Sequence, residues 1–321
     1  MISDLNLEEK IVNLTARIER VVLSTGNNGL NYLIVHLIDR TGRIEARLWN
    51  VNDEDIAQLK SGSIVRLEAN INSYRHQLQL KINNYVIIQE EEFDDYKITH
   101  DMFSINAPLN IDDKFKDLIA FIENIKNESY KQITIRLLKK YEEEFKTFPA
   151  AVSIHHNVIG GLFWHSTSLL EAAVSLRKVY SFIEVDWELV YCGAILHDLG
   201  KVFELDGKNA SEYTTIGKLI GHISIGNNFI CNAAKELKLD GEDVLKLQHV
   251  VLSSHGKNEF GSPVEPLLIE SIIISSLDSL DARLYRVNEE IKKVSHNNWT
   301  PRILSEDGRS FLRHYNKSKK N

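Results

Sequence analysis

The chain has 321 residues, enough for two domains with separate cores, and a formal charge of −7 from 38 basic and 45 acidic side chains. That balance excludes a bulk positive field, so any polyanion must be gripped locally. Two cysteines, Cys192 and Cys231, lie far apart and exclude both a disulfide framework and a thiolate zinc site, so a reducing cytoplasmic location is expected.

In chain order, the N-terminal MISDLNLEEK lacks the basic and apolar regions of a secretory signal. From Lys10 to Gln89 the apolar period is two: Val12, Leu14, Ala16 and Ile18; Leu33, Val35 and Leu37; Ile44, Ala46 and Leu48; Val65, Leu67, Ala69 and Ile71; Leu78, Leu80 and Ile82. Gly26 to Gly29, Asp39 to Gly42, Ser61 to Ser63 and Tyr74 to Gln77 separate these runs as turns. Five strands over residues 1–90, with a short helix in Asn52 to Lys60, predict an OB-type β-barrel.

The cluster Glu90 to Asp95 changes the composition, and residues 91–110 read as an acidic, solvated linker. Beyond it the period turns helical. Phe115, Leu118, Ile119 and Ile122 define one helix, and Tyr130 to Phe145 a second. Further helices are expected over His165 to Tyr180, Trp187 to Leu196, Ile216 to Leu237, Asp243 to Ser253 and Pro266 to Glu290. The stretch LLIESIIISSL, interrupted by Glu270 and Ser271, predicts a buried helix, and no run is long enough to cross a membrane. An all-α domain over 111–295 and a C-terminal extension over 296–321, whose Lys317, Lys319 and Lys320 form a frayed basic tail, complete the organisation.

His197 and Asp198 in AILHDLGK stand at the end of an apolar helix, the place where adjacent side chains can converge. Alone, such a dipeptide reads as a solvated helix end. Here His165, His222, His255 and Asp278 recur at other element ends, with spacings that a helical bundle can bring together. Imidazole and carboxylate without thiolate suit a hydrolytic site for Mn, Fe, Co, Ni or Zn.

The order of His165, His197-Asp198 and Asp278 resembles the HD phosphohydrolase superfamily. The fuller strings FPAAVSIHHNVIGGLFWHS, GAILHDLGK, GKLIGHISIG, SSHGKNEFGSPVEP and LDSLDARL, with NYLIVHLIDRTGRIEARLWN and SYRHQLQLKI ahead of them, resemble the YhaM-type 3′-to-5′ exoribonucleases. The resemblance covers about Lys10 to Leu284. It implies an OB domain followed by an HD domain, with His165, His197, Asp198 and Asp278 on one metal, and Asp198 bridging to a second metal held by His222 and His255. It also implies that Lys201 approaches the scissile phosphate. Ser254-His255 stands where such proteins often carry His-His, which weakens the expected second metal. Mn²⁺ is the preferred ion, with Mg also admitted, at one or two ions per site.

Other residues have plainer readings. His155 and His156 could join the site, but the reading as structural histidines is at least as good and they stay outside the ligand set. Asp281, three residues after Asp278, lies on the same helix face, so either could ligate; Asp278 is the better match, and Asp281 reads better as pairing with a cation such as Arg283 or supporting the ligands. Trp164 is core or pocket wall, and Gly160-Gly161 lets a helix approach closely. On the third strand Arg43, Glu45, Arg47 and Trp49 share the outward face, with Tyr32 and His36 beside them and Tyr74, Arg75 and His76 in a nearby turn. Arg43, Arg47, Trp49, Tyr74 and Arg75 are the candidate nucleic-acid contacts, against the plainer reading of a solvated barrel face.

The expected function is a metal-dependent exoribonuclease that degrades single-stranded RNA, with single-stranded DNA as a second substrate class, to nucleoside 5′-monophosphates by attack of a metal-activated hydroxide. Two rivals stand beside it: an HD nucleotide or cyclic-dinucleotide phosphohydrolase, and a non-catalytic single-strand-binding protein with a decayed HD site. With so few cations on the barrel face, non-specific affinity should be weak and shallow in salt dependence.

Overall fold

The computed structural model describes residues 1–26, 29–74, 77–151, 156–207 and 212–315. Arg75, His76, His155, Lys317, Lys319 and Lys320 lie outside the described residues. The chain divides into two compact units, Met1–Ile105 with Val287–Asn321, and Asn106–Arg286.

In the first unit, β1 (Ile11–Thr25), β2 (Asn31–Asp39), β3 (Gly42–Trp49), β4 (Ile64–Tyr74) and β5 (Gln77–Ile88) close into a barrel in the order β1-β2-β3-β5-β4. The alternation decides which face turns inward. Leu33, Val35 and Leu37 pair with Leu48, Ala46 and Ile44, and a one-residue slip would turn every one of them to solvent. With Leu14, Ile18, Leu67 and Leu80 they form the barrel core. Parallel pairing of β3 with β5 closes the cylinder. The short helix α1 (Asp53–Gln58) sits between β3 and β4, started by a capping box of Asn52 and Asp55.

The acidic residues Glu90, Glu91, Asp94 and Asp95 are exposed, but the segment that carries them is built of short helical turns. A capping box of Gln89 and Glu92 opens a 3-10 turn at Glu90–Glu92, α2 (Phe93–Tyr96) follows, and a further 3-10 turn spans His100–Phe103. Ile98 and Phe103 are buried with Ile64 and Ile88, so two apolar side chains beyond the acidic run anchor it to the barrel. The C-terminal residues also depart from the expected partition. Val287–Asn321 groups with the barrel unit, and the helical unit ends at Arg286. Backbone bonds between Thr300 and Phe311 and between Ile303 and Arg309 fold this terminal stretch back on itself.

The second unit is helical: α3 (Ile111–Glu123), α4 (Glu128–Lys140), α5 (Glu142–Thr147), α6 (Gly161–Val179), α7 (Trp187–Leu196), α8 (Lys201–Glu204), α9 (Thr215–Ile220), α10 (His222–Leu237) and α11 (Glu242–Leu252). The last helix, α12 (Ile269–Lys292), begins in this unit. Asn110, Asn127, Asp186 and Thr214 cap the starts of α3, α4, α7 and α9 through their side-chain oxygens. Two expected helices are broken. Tyr141 interrupts the Tyr130 to Phe145 stretch, and Gly221, at φ 75° and ψ 147°, separates α9 from α10. The second break makes His222 the first residue of α10. Among the described residues, no helix is long and apolar enough to cross a membrane.

Candidate metal centre

All six histidine and aspartate residues expected as ligands converge within the helical unit. His165 comes from the second turn of α6, His197 is the C-terminal cap of α7, and Asp198 follows it in the turn before α8. His222 starts α10, His255 lies in the turn after α11, and Asp278 stands midway along α12. Their donor atoms form two groups, His165 with His197 and Asp278, and Asp198 with His222 and His255.

In the first group the Nε2 atom of His165 lies 3.2 Å from Asp278 Oδ1 and 3.3 Å from His197 Nε2. Asp198 Oδ2 is 3.3 Å from His197 Nε2 and 3.6 Å from His165 Nε2. In the second, Asp198 Oδ1 is 3.3 Å from His222 Nε2, which is itself 3.4 Å from His255 Nε2. Donors held about 2.1 Å from one ion and at right angles to each other are about 3 Å apart, so these separations suit shared coordination. Asp198 therefore turns one oxygen to each group.

The outer ring nitrogens explain why the inner ones converge. His197 Nδ1 donates to the Ala194 carbonyl at 2.9 Å, and His255 Nδ1 to the Phe260 carbonyl at 3.2 Å. A carbonyl only accepts, so the proton resides on Nδ1 and the Nε2 lone pair faces the cluster. Two carboxylates hold the outer Nδ1 atoms of the other histidines. Asp281 Oδ2 meets His165 Nδ1 at 2.7 Å, and Glu204 Oε1 meets His222 Nδ1 at 2.9 Å and the His222 backbone N–H at 3.0 Å.

Electrostatics follow from burial and proximity. Burial pulls the His165 pKa down, but hydrogen bonds to Asp278 and Asp281 and the charge of Asp198 outweigh it and raise it to about 9. Burial opposes ionisation of Asp198, yet the cations around it hold its carboxyl well below the usual range. Asp278 is lowered to about 2 because its contacts with His165 and His197 outweigh burial. Lys201 Nζ sits 2.6 Å from Asp198 Oδ2, and this pairing overcomes desolvation to raise the ammonium pKa. The structure places Lys201 against the central carboxylate, buried.

One atom bears directly on metal fit: Asp198 Oδ1 is buried and accepts no hydrogen bond. A carboxylate oxygen left so, facing two imidazole lone pairs, fits a divalent cation. Ser254 is fully buried and its hydroxyl has no hydrogen-bond partner among the described residues, but three ligands assemble in the second group without it. Glu204 escaped sequence reasoning. Its signal is a lone acid between Val202 and Leu205, both buried, in the turn directly after Lys201.

Glycines set the approach of these segments. A Cβ on Gly200 would lie 2.0 Å from the His222 carbonyl oxygen, so the turn carrying Asp198 and Lys201 packs directly on the start of α10. A Cβ on Gly161 would lie 1.8 Å from the carbonyl oxygen of His156, which agrees with a packing role for the Gly160-Gly161 pair.

On the barrel, Tyr32 and Trp49 are cross-strand partners whose rings stack at 4.5 Å and 24°. The Arg47 guanidinium lies 5.8, 5.9 and 5.6 Å from the ring centres of Tyr32, Trp49 and Tyr74. Trp49 and Tyr74 are 43% and 51% exposed, so the aromatic faces meet solvent. Arg43 stands apart from this group, with its Nε 2.8 Å from Glu19. His36 is half-buried, and the desolvation lowers its pKa.

Residues 162–283 match a family model described as an HD domain, and residues 12–88 match one described as an OB-fold nucleic acid binding domain. Among solved structures, the second OB-fold domain of replication protein A from Methanococcus maripaludis covers 28% of this chain and 94% of its own, at 21% identity and a TM-score of 0.23. The 3′-5′ exoribonuclease YhaM of a Geobacillus species is 39% identical over 302 residues, covering 94% of this chain and 91% of that protein. That of Bacillus pumilus is 38% identical over 302 residues, covering 94% of each. With identity of this order along nearly the whole length of both partners, the chain belongs to the YhaM family of 3′-5′ exoribonucleases.

Proposed function

We propose that this protein is a metal-dependent exoribonuclease that shortens single-stranded RNA from its 3′ end and releases nucleoside 5′-monophosphates, with single-stranded DNA as a second substrate class. One observation carries the reading. Four histidines from four separate segments turn their Nε2 atoms onto Asp198 and Asp278, while each Nδ1 is engaged on the outer side. Relatives named as 3′-5′ exoribonucleases support the substrate and the polarity.

His165, His197, Asp198 and Asp278 would hold one divalent ion and Asp198, His222 and His255 a second, with Mn²⁺ preferred by this mixed nitrogen and oxygen donor set. Such ions supply Lewis-acid charge to a phosphate and make water a competent nucleophile near neutral pH. The side chains do the remaining work. Asp198 spans both groups and fixes their separation. Lys201, kept charged by Asp198, offsets negative charge that develops on the phosphate oxygens. Water adds to the terminal phosphorus in line with the penultimate 3′ oxygen, the P–O3′ bond breaks, and a proton passes to the departing oxygen.

The barrel contributes affinity for the strand. Tyr32, Trp49 and Tyr74 offer faces for bases and Arg47, which lies beside all three rings and 2.9 Å from Glu45, a charge for phosphates, whereas Arg43, paired with Glu19, stands outside this aromatic group and contributes less. The complete Asp198, His222 and His255 group supports an active rather than a decayed site. Two free cysteines fit the cytoplasm as its compartment.

Product analysis tests the assignment. Unlabelled single-stranded RNA incubated with the protein and Mn²⁺ should yield nucleoside 5′-monophosphates, and nothing after EDTA treatment. Nucleoside 3′-monophosphates, or turnover of cyclic dinucleotides alone, would transfer the assignment to another phosphodiesterase activity.

A further inference from the structure

The two groups of inner ligands are matched by two outer carboxylates, one apiece. Among the described ligands, Asp281 meets His165 of the first group, at Nδ1, and Glu204 meets His222 of the second, at Nδ1 and its backbone N–H. Neither carboxylate reaches the other group.

Asp281 is itself held. His156 Nε2 lies 2.8 Å from the same Asp281 oxygen that meets His165, and the His156 ring is buried between Trp164 and Tyr285, at centroid distances of 4.4 and 4.3 Å. His156 adopts φ 45°, a left-handed conformation that a non-glycine residue rarely takes, and Gly161 leaves the room its carbonyl needs. Strain of this kind persists where the surrounding structure imposes it, and it clusters at functional sites. The donor atoms of His156, Asp281 and His165 also lie close enough together to hold a cation of their own. Chemistry argues for a hydrogen-bonded chain instead. His165 already turns Nε2 to the first group, and binding a second ion through Nδ1 would require the imidazole to lose both protons.

We propose that Asp281 and Glu204 are positioning residues that set the affinities of the two metal subsites separately, Asp281, braced by His156, for the first and Glu204 for the second. Each carboxylate accepts the Nδ1–H of a ligand imidazole, which fixes the ring orientation and strengthens the Nε2 donor, so each governs the ion that its own imidazole binds. This inference rests on the ligand assignment given above.

The experiment is titration of the full-length, metal-stripped protein with Mn²⁺, read by calorimetry and by the electron paramagnetic resonance signal of free Mn²⁺. His197→Ala and His255→Ala identify which binding step belongs to which subsite. Asp281→Asn should then weaken the step lost in His197→Ala by about 10–100-fold, and Glu204→Gln the step lost in His255→Ala by a similar factor. His156→Gln should weaken the same step as Asp281→Asn, by a smaller factor. Asp281→Glu should recover part of the lost affinity, which a purely structural defect would not allow. Equal weakening of both steps by either carboxylate variant, or no weakening by either, would overturn the inference while leaving the ligand assignment standing. Two unaltered binding steps in His197→Ala and His255→Ala would overturn the ligand assignment itself.

Discussion

Lys201 Nζ and Asp198 Oδ2 are 2.6 Å apart, and that same oxygen faces His165 and His197 on its other side. The central carboxylate is thus shared between the inner imidazoles and a buried ammonium from the next turn. Replacing Lys201 by Met keeps the packing of its stem and removes the charge. The expected result is a fall in kcat of about 10²–10³, the cost of losing one preorganised cationic or hydrogen-bonding partner of a transition state. Removal of a competing cation beside Asp198 should leave Mn²⁺ affinity unchanged or higher. Steady-state kinetics with a metal titration checks both, and weaker metal binding in Lys201→Met would contradict the assigned role.

Acid should oppose metal uptake. His165, with its pKa raised to about 9, carries a proton at neutral pH that must leave before Nε2 can donate to an ion. The sign is therefore fixed: apparent Mn²⁺ affinity rises with pH up to about 9, by roughly tenfold per unit for one displaced proton. Calorimetry at pH 6.5 to 8.5 in buffers of different ionisation enthalpy measures the proton release, and Mn²⁺ binding with no proton release and a pH-independent affinity over this range would contradict the prediction.

Gly200→Ala should disturb the site without touching a ligand side chain. The new methyl group would meet the His222 carbonyl at 2.0 Å and force the Asp198 turn away from α10. Overpacking of this kind costs about 1–3 kcal/mol. In a unit of this size that lowers Tm by roughly 2–4 °C per kcal/mol. Thermal unfolding followed by circular dichroism gives the stability, and the Mn²⁺ titration should show weaker binding at the subsite containing His222.

Arg47→Ala and Trp49→Ala should each weaken binding of single-stranded RNA by about 1–3 kcal/mol, the value of a base-stacking contact. Arg43→Ala should do less, because its guanidinium lies outside the group of rings that surrounds Arg47. Fluorescence anisotropy on a labelled oligonucleotide measures this, with hydrolysis of a small phosphodiester such as bis(p-nitrophenyl) phosphate as the control that should not change. A steep salt dependence, with a slope corresponding to many phosphates, would contradict binding through this small cationic group.

Much of the fold and the site is legible in the sequence, for physical reasons that differ by element. Leu33, Val35 and Leu37 alternate because a barrel strand has one inner face, so the period of two alone marks the strand. His165, His197, Asp198, His222, His255 and Asp278 can be read because ligands must sit at element ends or on facing helices. The break at Gly221 is hidden, since Ile216 to Leu237 keeps an apolar pattern across it and only the positive φ ends the helix. The acidic run reads as solvated because Glu90 to Asp95 dominate its composition, while the anchoring residues Ile98 and Phe103 lie beyond it. Arg43 looks equivalent to Arg47 along β3, and only the pairing of β1 and β3 on either side of β2 puts Glu19 beside Arg43. The link from Glu204 to His222 depends on a close approach at Gly200 that no periodicity encodes.

The most direct measurement is a time course on single-stranded RNA labelled at its 5′ end, with wild-type protein, Asp198→Ala and a chelator control, each with Mn²⁺ supplied in excess where no chelator is present. The account predicts a ladder of labelled products that shortens progressively, absent in Asp198→Ala and after chelation, with the variant still folded and still binding the strand. Immediate release of labelled mononucleotide, or an undiminished ladder from Asp198→Ala, would contradict it.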